Sequence, residues 1–351
     1  MSEANAPPFH DRLLNWWDGN GRKDLPWQHP RTPYRVWISE IMLQQTQVAT
    51  VIPYFDRWMQ TFPDIPLLVA APLDDVLSLW SGLGYYARAR NLHKAAQCCM
   101  EDFAGELPTS AKVLCTLPGI GLSTANAIIS QSTGQPAAVL DGNVRRTLAR
   151  HAAVEGWTGK AAVQKQLWKE AEDRLPARRG ADYTQAIMDL GALVCTRASP
   201  SCDQCPVSID CRALQQNRVA HFPSPKPPTR VTDRTICMLV LRDSKNRVLL
   251  EKRPPSGVWG GLWSLPEGDS IKTIEEKLGL TTSSLKSLPP VEHRLSHLRM
   301  LIQPTLATLG SATRVKCSAE QNWFTPAGQS KLGLPKPVSD LLKKVNTGEY
   351  T

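Results

Sequence analysis

The segment CTRASPSCDQCPVSIDC, residues 195–211, gathers four of the nine cysteines of a 351-residue chain into seventeen positions. Cys195, Cys202, Cys205 and Cys211 are spaced six, two and five residues apart. Four thiolates at such range need a cation to offset their repulsion and desolvation, so the segment reads as a metal-holding loop. Structural zinc usually shows two Cys-x-x-Cys knuckles separated by a longer loop, and here only the middle pair is close. The spacing therefore favours a four-cysteine iron–sulfur cluster over zinc, and either over four unrelated thiols. A cluster held by four thiolates carries about two negative charges and would leave the chain basic. It would also fix the loop that bears Arg197 and Arg212, cations placed to meet phosphates.

Upstream, segments of helical period run between Pro and Gly breaks. They cover 9–17, 36–52, 73–79, 87–103, 121–133, 144–151, 161–173 and 182–194. The turn Leu117-Pro118-Gly119-Ile120-Gly121 lies between two of them. Glycine permits positive φ and close backbone approach, and a helix opening at Gly121 would present unpaired N–H groups, together forming a seat for phosphate. Downstream, four prolines between Pro223 and Pro228 predict a stiff extended connection. Strand-like runs at 235–242 and 247–252 then flank a polar Asp243–Asn246 turn, a hairpin signature, and a helical run covers 271–278. The reading is multidomain: an all-α unit over 1–218, a linker over 219–233 and a smaller α+β unit over 234–347, close to the two domains that length alone predicts.

Lysine and arginine exceed aspartate and glutamate by 41 to 32, a formal +9. That excess points to a polyanionic partner, nucleic acid first. An odd cysteine count argues against a fully paired secreted framework. No apolar run approaches the length of a membrane span, which predicts no membrane partner. The N-terminal residues lack a signal-peptide pattern, from which an intracellular location is expected.

Three stretches join the cysteine loop and the glycine turn in a resemblance. They are WISEIMLQQTQV (37–48), GLGYYARARNL (82–92) and LDGNV (140–144). With them the chain resembles the endonuclease III superfamily of helix-hairpin-helix DNA glycosylases, and within it the MutY-type adenine DNA glycosylases, from about residue 10 to the C-terminus. The resemblance implies a [4Fe–4S] cluster on Cys195, Cys202, Cys205 and Cys211. It implies that Glu40 is the catalytic acid and Asp141 the carboxylate that steadies the sugar cation, with Asn143 orienting that carboxylate or the water. By spacing alone, Glu40, Leu43, Gln44 and Gln47 would be the polar face of one helix and Asp141 a simple N-cap.

The same resemblance assigns base or DNA contacts to Trp27, Leu43, Gln45, Tyr85, Gly119, Gly121, Ser123 and Gln185, with Tyr85 as a wedge raised by Gly82 and Gly84; Arg88, on the helical run that follows, reads as a phosphate contact. Ser123 stands where bifunctional relatives carry a nucleophilic lysine, and a serine cannot form a Schiff base, so a monofunctional enzyme is expected. Arg145 replaces a lysine that traps the abasic product in some members, and an arginine stays protonated. The segment 254–267 resembles a Nudix-type fold, but only Glu275-Glu276 approximates the Mg²⁺-holding glutamates, so pyrophosphate hydrolysis is not expected. Ser296 and His297 match the tip that reads 8-oxoguanine, with Leu295 in place of the usual aromatic.

The implied activity is hydrolysis of the N-glycosidic bond of adenine opposite 8-oxoguanine or guanine in double-stranded DNA. The enzyme would be a monomer, in the cytoplasm of a bacterium or the nucleus or mitochondrion elsewhere. Two alternatives stand beside it: an endonuclease III-like pyrimidine glycosylase with lyase activity, and a non-catalytic mismatch-binding protein.

Overall fold

In the computed structural model, which describes residues 6–228, 231–282, 284–295, 298–309, 315 and 317–350, the first half of the chain is helical. The helices are α1 (Phe9–Asn20), α2 (Pro33–Leu43), α3 (Val48–Thr61), α4 (Ile65–Ala70), α5 (Leu73–Leu79), α6 (Ala87–Asp102), α7 (Ala111–Leu114), α8 (Leu122–Thr133), α9 (Gly142–His151), α10 (Ala161–Glu172), α11 (Gly180–Asp189) and α12 (Arg212–Gln215). Contacts divide the chain into two units: Met1–Ala70 with Asn91–Pro228, and Ala71–Arg90 with Thr229–Thr351.

In the first unit α2 packs on α8, and α11 packs on both α8 and α1. Leu13, Leu148, Leu167, Ile187 and Leu190, from five segments, meet in one core and are buried. The single helix expected over 36–52 is two. The chain leaves α2 at Gln44, and Gln45 takes a left-handed φ of 60° before α3 begins. Gln44 and Gln47 therefore do not continue the helical stripe that starts at Glu40. The helix expected over 182–194 starts earlier, at Gly180, and widens into a π-helical turn over Leu190–Val194 that ends at Cys195. That widening brings Gly191 against α9: a Cβ on Gly191 would meet Asn143 Cβ at 2.7 Å.

The Pro-rich connection is anchored where it begins. Phe222 is buried, and its carbonyl accepts from Arg150 Nε at 3.0 Å. Residues 225–228 beyond it are exposed.

The second unit is built on a sheet. β1 (Thr232–Arg242) runs parallel to β7 (Leu298–Thr308) and antiparallel to β2 (Val248–Lys252), with Arg242 opposite Val248. The hairpin turn closes as its polar sequence predicts: Asp243 Oδ1 accepts from the Lys245 and Arg247 amides, and Asn246 takes φ 60°. Side chains alternate between two faces, as the period of a strand requires. Ile236, Met238 and Val240 pack with Val338, Leu341 and Val345 of the C-terminal helix Lys336–Asn346. Leu239, Leu241 and Leu249 pack with Ile274 and Leu278 of the helix Ile271–Leu278. A sheet covered on both faces explains why β1 reads as a continuous apolar run.

Ala71–Arg90 stands with this unit through specific bonds. Lys252 Nζ lies 2.8 Å from Asp74, Tyr86 donates to the Leu334 carbonyl at 3.0 Å, and Arg90 donates to the Gly260 carbonyl at 2.5 Å.

Candidate active site

Three elements of the first unit bring one polar group each to a common point. Thr32 caps the start of α2, its side chain accepting from the Arg35 amide, and Pro33 occupies the first turn, where its missing N–H costs nothing. The apolar side of α2 buries Val36, Trp37, Ile38, Ile41 and Met42, which leaves Glu40 on the side facing α8. There Gln131 Nε2 donates to Glu40 Oε1 at 3.0 Å. Burial pushes the Glu40 carboxyl up to about 8, the charge of Asp141 adds to the rise, and the Gln131 hydrogen bond opposes it.

Asp141 is the N-cap of α9, and its Oδ1 accepts from the Val144 amide at 2.7 Å. Capping and chemistry use the same carboxylate. Burial raises Asp141 as well, but the Val144 and Asn143 backbone amides and the charges of Arg146 and Arg145 hold it down. Glu40 has only a neutral amide in opposition. Both carboxyls are raised, with unequal support: four groups favour the Asp141 carboxylate and a single neutral amide favours that of Glu40. The arrangement sets an acid raised to about 8 beside a better-supported carboxyl, and a pair of carboxyls is what cleavage of a glycosidic bond needs.

Asn143 contributes its backbone to Asp141, while its side-chain Oδ1 accepts from Arg146 Nη2 at 3.0 Å. The same guanidinium reaches the Gly191 and Cys195 carbonyls at 2.6 and 2.9 Å. Arg146 was not among the residues singled out from sequence, nor was Gln131. Arg146 has a signal in its place five residues after Asp141, whereas Gln131 has none.

In the turn before α8 the two glycines are exposed, while Leu117 and Ile120 are buried. Gly119 needs its glycine twice over: φ is 81°, and a Cβ would meet Asn91 Cβ at 2.9 Å. Gly121 differs from expectation, since its φ is −91° and a Cβ there meets nothing. As the N-cap of α8 it supplies no side-chain acceptor, so the opening N–H groups of the helix stay available to an anion. Ser123 is turned inward, its Oγ accepting from the Leu140 amide at 2.9 Å, which ties the start of α8 to the segment leading into Asp141. Trp27 is 2% exposed, packed edge-on to Phe55 at 5.5 Å. Gln185 is committed to a buried carboxylate: its Nε2 donates to Asp189 Oδ1 at 2.8 Å, where Arg22 also binds at 2.6 Å. Leu43 is half-buried at the end of α2, and Gln45 just beyond it is exposed.

In the second unit Gly82 and Gly84 take positive φ and Tyr85 follows at φ 48°, 55% exposed. Arg88 does not present its charge outward, as a phosphate contact would require. It is buried, donates to the Leu83 and Gly84 carbonyls at 3.0 and 3.1 Å, and lies over the Trp80 and Tyr85 rings. Arg88 shapes the loop that displays Tyr85. Ser296 and His297 lie outside the described residues; Leu295 beside them is half-buried against the sheet core. Glu275 is occupied by Thr282, whose amide donates to it at 2.7 Å and whose hydroxyl bonds the same oxygen.

The four loop cysteines are free thiols, half-buried. Burial pushes the Cys202, Cys205 and Cys211 thiols up, and in each case neighbouring loop cysteines push further. Among the described residues no three His, Cys, Asp or Glu side chains are grouped tightly enough to hold one metal ion. The loop is pinned by cations: Arg150 donates to the Thr196 carbonyl at 2.6 Å and to Cys195 Sγ at 3.4 Å, and Asp210 binds Arg12 and His151 at 2.7 and 3.0 Å.

Residues 38–173 match the HhH-GPD superfamily of base excision DNA repair proteins, and residues 237–344 match the NUDIX domain. An adenine DNA glycosylase of Buchnera aphidicola subsp. Baizongia pistaciae is 36% identical over 340 residues, covering 96% of each chain. The adenine DNA glycosylase of Homo sapiens is 35% identical over 366 residues, covering 86% of this chain and 67% of the human one. The structure of a thermostable thymine-DNA glycosylase superposes with a TM-score of 0.53 at 27% identity, covering 59% of this chain and 95% of that one. Both halves of the sequence, the helical unit with its paired carboxyls and the strand-rich unit, are matched together, and the chain belongs to the adenine DNA glycosylase family of base excision DNA repair enzymes.

Proposed function

We propose that the chain excises adenine mispaired with 8-oxoguanine or guanine in double-stranded DNA, with Glu40 as proton donor and Asp141 as the carboxylate that stabilises the sugar cation. The observation that carries this reading is the inequality of the two carboxyls: Glu40 is raised to about 8 while Asp141 is supported by two amides and two arginines.

Adenine leaves poorly until a ring nitrogen is protonated, and its departure leaves positive charge on the deoxyribose. Glu40 holds its proton at neutral pH and gives it to the extruded base. Asp141, its carboxylate favoured by two amides and two arginines, faces the developing cation or bonds briefly to the anomeric carbon. Asn143 orients Asp141 through its backbone amide, and Arg146 holds Asn143 in turn. Extruding the base costs a few kcal/mol, which inserted side chains partly offset. Exposed Tyr85 and Gln45 suit that insertion, and the open N–H groups at the start of α8 suit a flanking phosphate. Trp27 and Gln185 act from behind, as rigid walls of the pocket.

Cys195, Cys202, Cys205 and Cys211 would hold a [4Fe–4S] cluster. Four thiols within seventeen residues whose charges push one another up match the four-thiolate donor set of such a cluster. Bound there, it supplies a fixed anchor for the loop. The second unit reads the base opposite adenine, through the tip containing Ser296 and His297. The enzyme acts as a monomer, in the cytoplasm if the host is bacterial and in the nucleus or mitochondrion otherwise.

The lyase alternative needs an amine where Ser123 stands, and the Ser123 hydroxyl is already bound by Leu140. Duplexes with A opposite 8-oxoguanine, A opposite G, and thymine glycol opposite A, each processed with and without alkali, test the reading. Adenine release that needs alkali for strand scission is the expected outcome; scission at thymine glycol without alkali would overturn it.

A further inference from the structure

Gln131 is 3% exposed, on a helix whose buried positions around it are Ala127, Ile128 and Ile129. Its Nε2 is spent on Glu40 Oε1, and its own Oε1 is buried with no hydrogen-bond partner among the described residues. An unpartnered buried carbonyl costs about 1–3 kcal/mol, and an aliphatic side chain would fill the same space without that cost. Stability therefore does not explain the glutamine. The neighbouring buried polar group on α8 does have a partner, Ser130 Oγ lying 2.8 Å from Thr184 Oγ1.

An amide nitrogen carries only donors, and a carboxylic acid carries its proton on one oxygen. While Gln131 donates to Oε1 of Glu40, that oxygen is held as an acceptor and cannot also carry the proton toward Gln131. We propose that Gln131 is a positioning residue that places the Glu40 proton on Oε2, the oxygen left to face the base, and steadies the carboxylate once the proton has gone. This rests on Glu40 being the acid of the reaction.

The charged surroundings of Glu40 are few. α8 carries no ionisable side chain, and neither does the turn Pro26–Gln28; on α3 the charge of Asp56 acts on Arg35; α9 contributes Asp141, with Arg145 and Arg146 acting on it. Gln131 is thus the group that opposes the upward pressure on Glu40, and removing its donor moves the acid in one direction, up.

The test is Gln131→Met, close in shape and without a donor, with Gln131→Leu as the fallback should the first not fold. Adenine release is followed in single turnover against pH on a duplex with A opposite 8-oxoguanine, and the Glu40 carboxyl is titrated by carbon-13 NMR in the DNA-free protein. The alkaline limb and the NMR titration both move to higher pH by roughly half a unit or more, while the plateau falls roughly five- to tenfold, the worth of one hydrogen bond. A loss of rate equal at every pH with an unmoved titration marks a packing residue and overturns the proposal, as does an unchanged profile. Wild-type protein that releases no adenine would count against Glu40 as the acid; it would leave the NMR arm to decide the role of Gln131.

Discussion

The paired carboxyls of the first unit and the partnered glutamates of the second make opposite use of their surroundings. In the second unit three acids near the Nudix-like segment have a cation or a donor at close range: Glu267 lies 2.6 Å from Arg253, Glu251 2.9 Å from Lys277, and Glu275 takes both the amide and the hydroxyl of Thr282. In the first unit Glu40 has a neutral amide and a like-charged neighbour. Compensated charges scaffold a fold, whereas an acid kept short of compensation stays protonated and can give its proton away. The difference teaches where chemistry is stored.

The sharpest way to break the comparison is Glu40→Gln. It should reduce single-turnover adenine release by roughly 10²–10⁴-fold while leaving affinity for the mismatched duplex within about twofold, since the amide keeps the shape and loses the proton. Gly119→Ala tests the turn instead. A positive φ and an Asn91 contact at 2.9 Å should distort the phosphate seat and weaken duplex binding roughly tenfold, measured by titration, with less effect on the rate once bound.

The pH profile follows from the sign of the Glu40 shift. The acid works protonated, so release should hold steady through neutrality and fall as pH rises through about 8. A fall centred near the ordinary carboxylate range would remove Glu40 from the role. Stability also falls with rising pH, but over a lower window. A carboxyl raised from 4.5 to about 8 on folding binds more protons folded than unfolded between those values, so it lowers stability as pH climbs through that window. Glu40→Gln should therefore stabilise the first unit more at pH 8 than at pH 5, by roughly 3–4 kcal/mol, read as a larger gain in melting temperature at pH 8. The smallest effect is expected in the second unit: Arg253→Met, which leaves Glu267 in a partly buried site, should lower its thermal stability by about 1–3 kcal/mol without shifting the alkaline limb.

Much of the fold was legible because it rests on short-range rules. The 73–79 and 271–278 helices, the Asp243–Asn246 turn and the change from helical to strand period all follow from local pattern. The break at Gln44–Gln47 was hidden, because Gln, Thr and Gln carry no stop signal and the left-handed Gln45 is set by packing of α2 and α3. The candidate acid and its partner carboxylate were named through resemblance; spacing alone would have left Glu40 on a solvated face and Asp141 as a cap. Arg88 read as a phosphate contact, since nothing in its sequence tells that two carbonyls and two rings enclose it.

By itself the sequence determined the division into helical and strand-rich parts, the crowded cysteines, the basic excess and the glycine turn, because composition, period and spacing act over a few residues. Only the tertiary structure decided that an unremarkable glutamine ninety-one positions away meets Glu40, and that Asp141 is better supported than Glu40. Proton affinity depends on what surrounds a group in space, and long-range neighbours are chosen by packing, which no local pattern records.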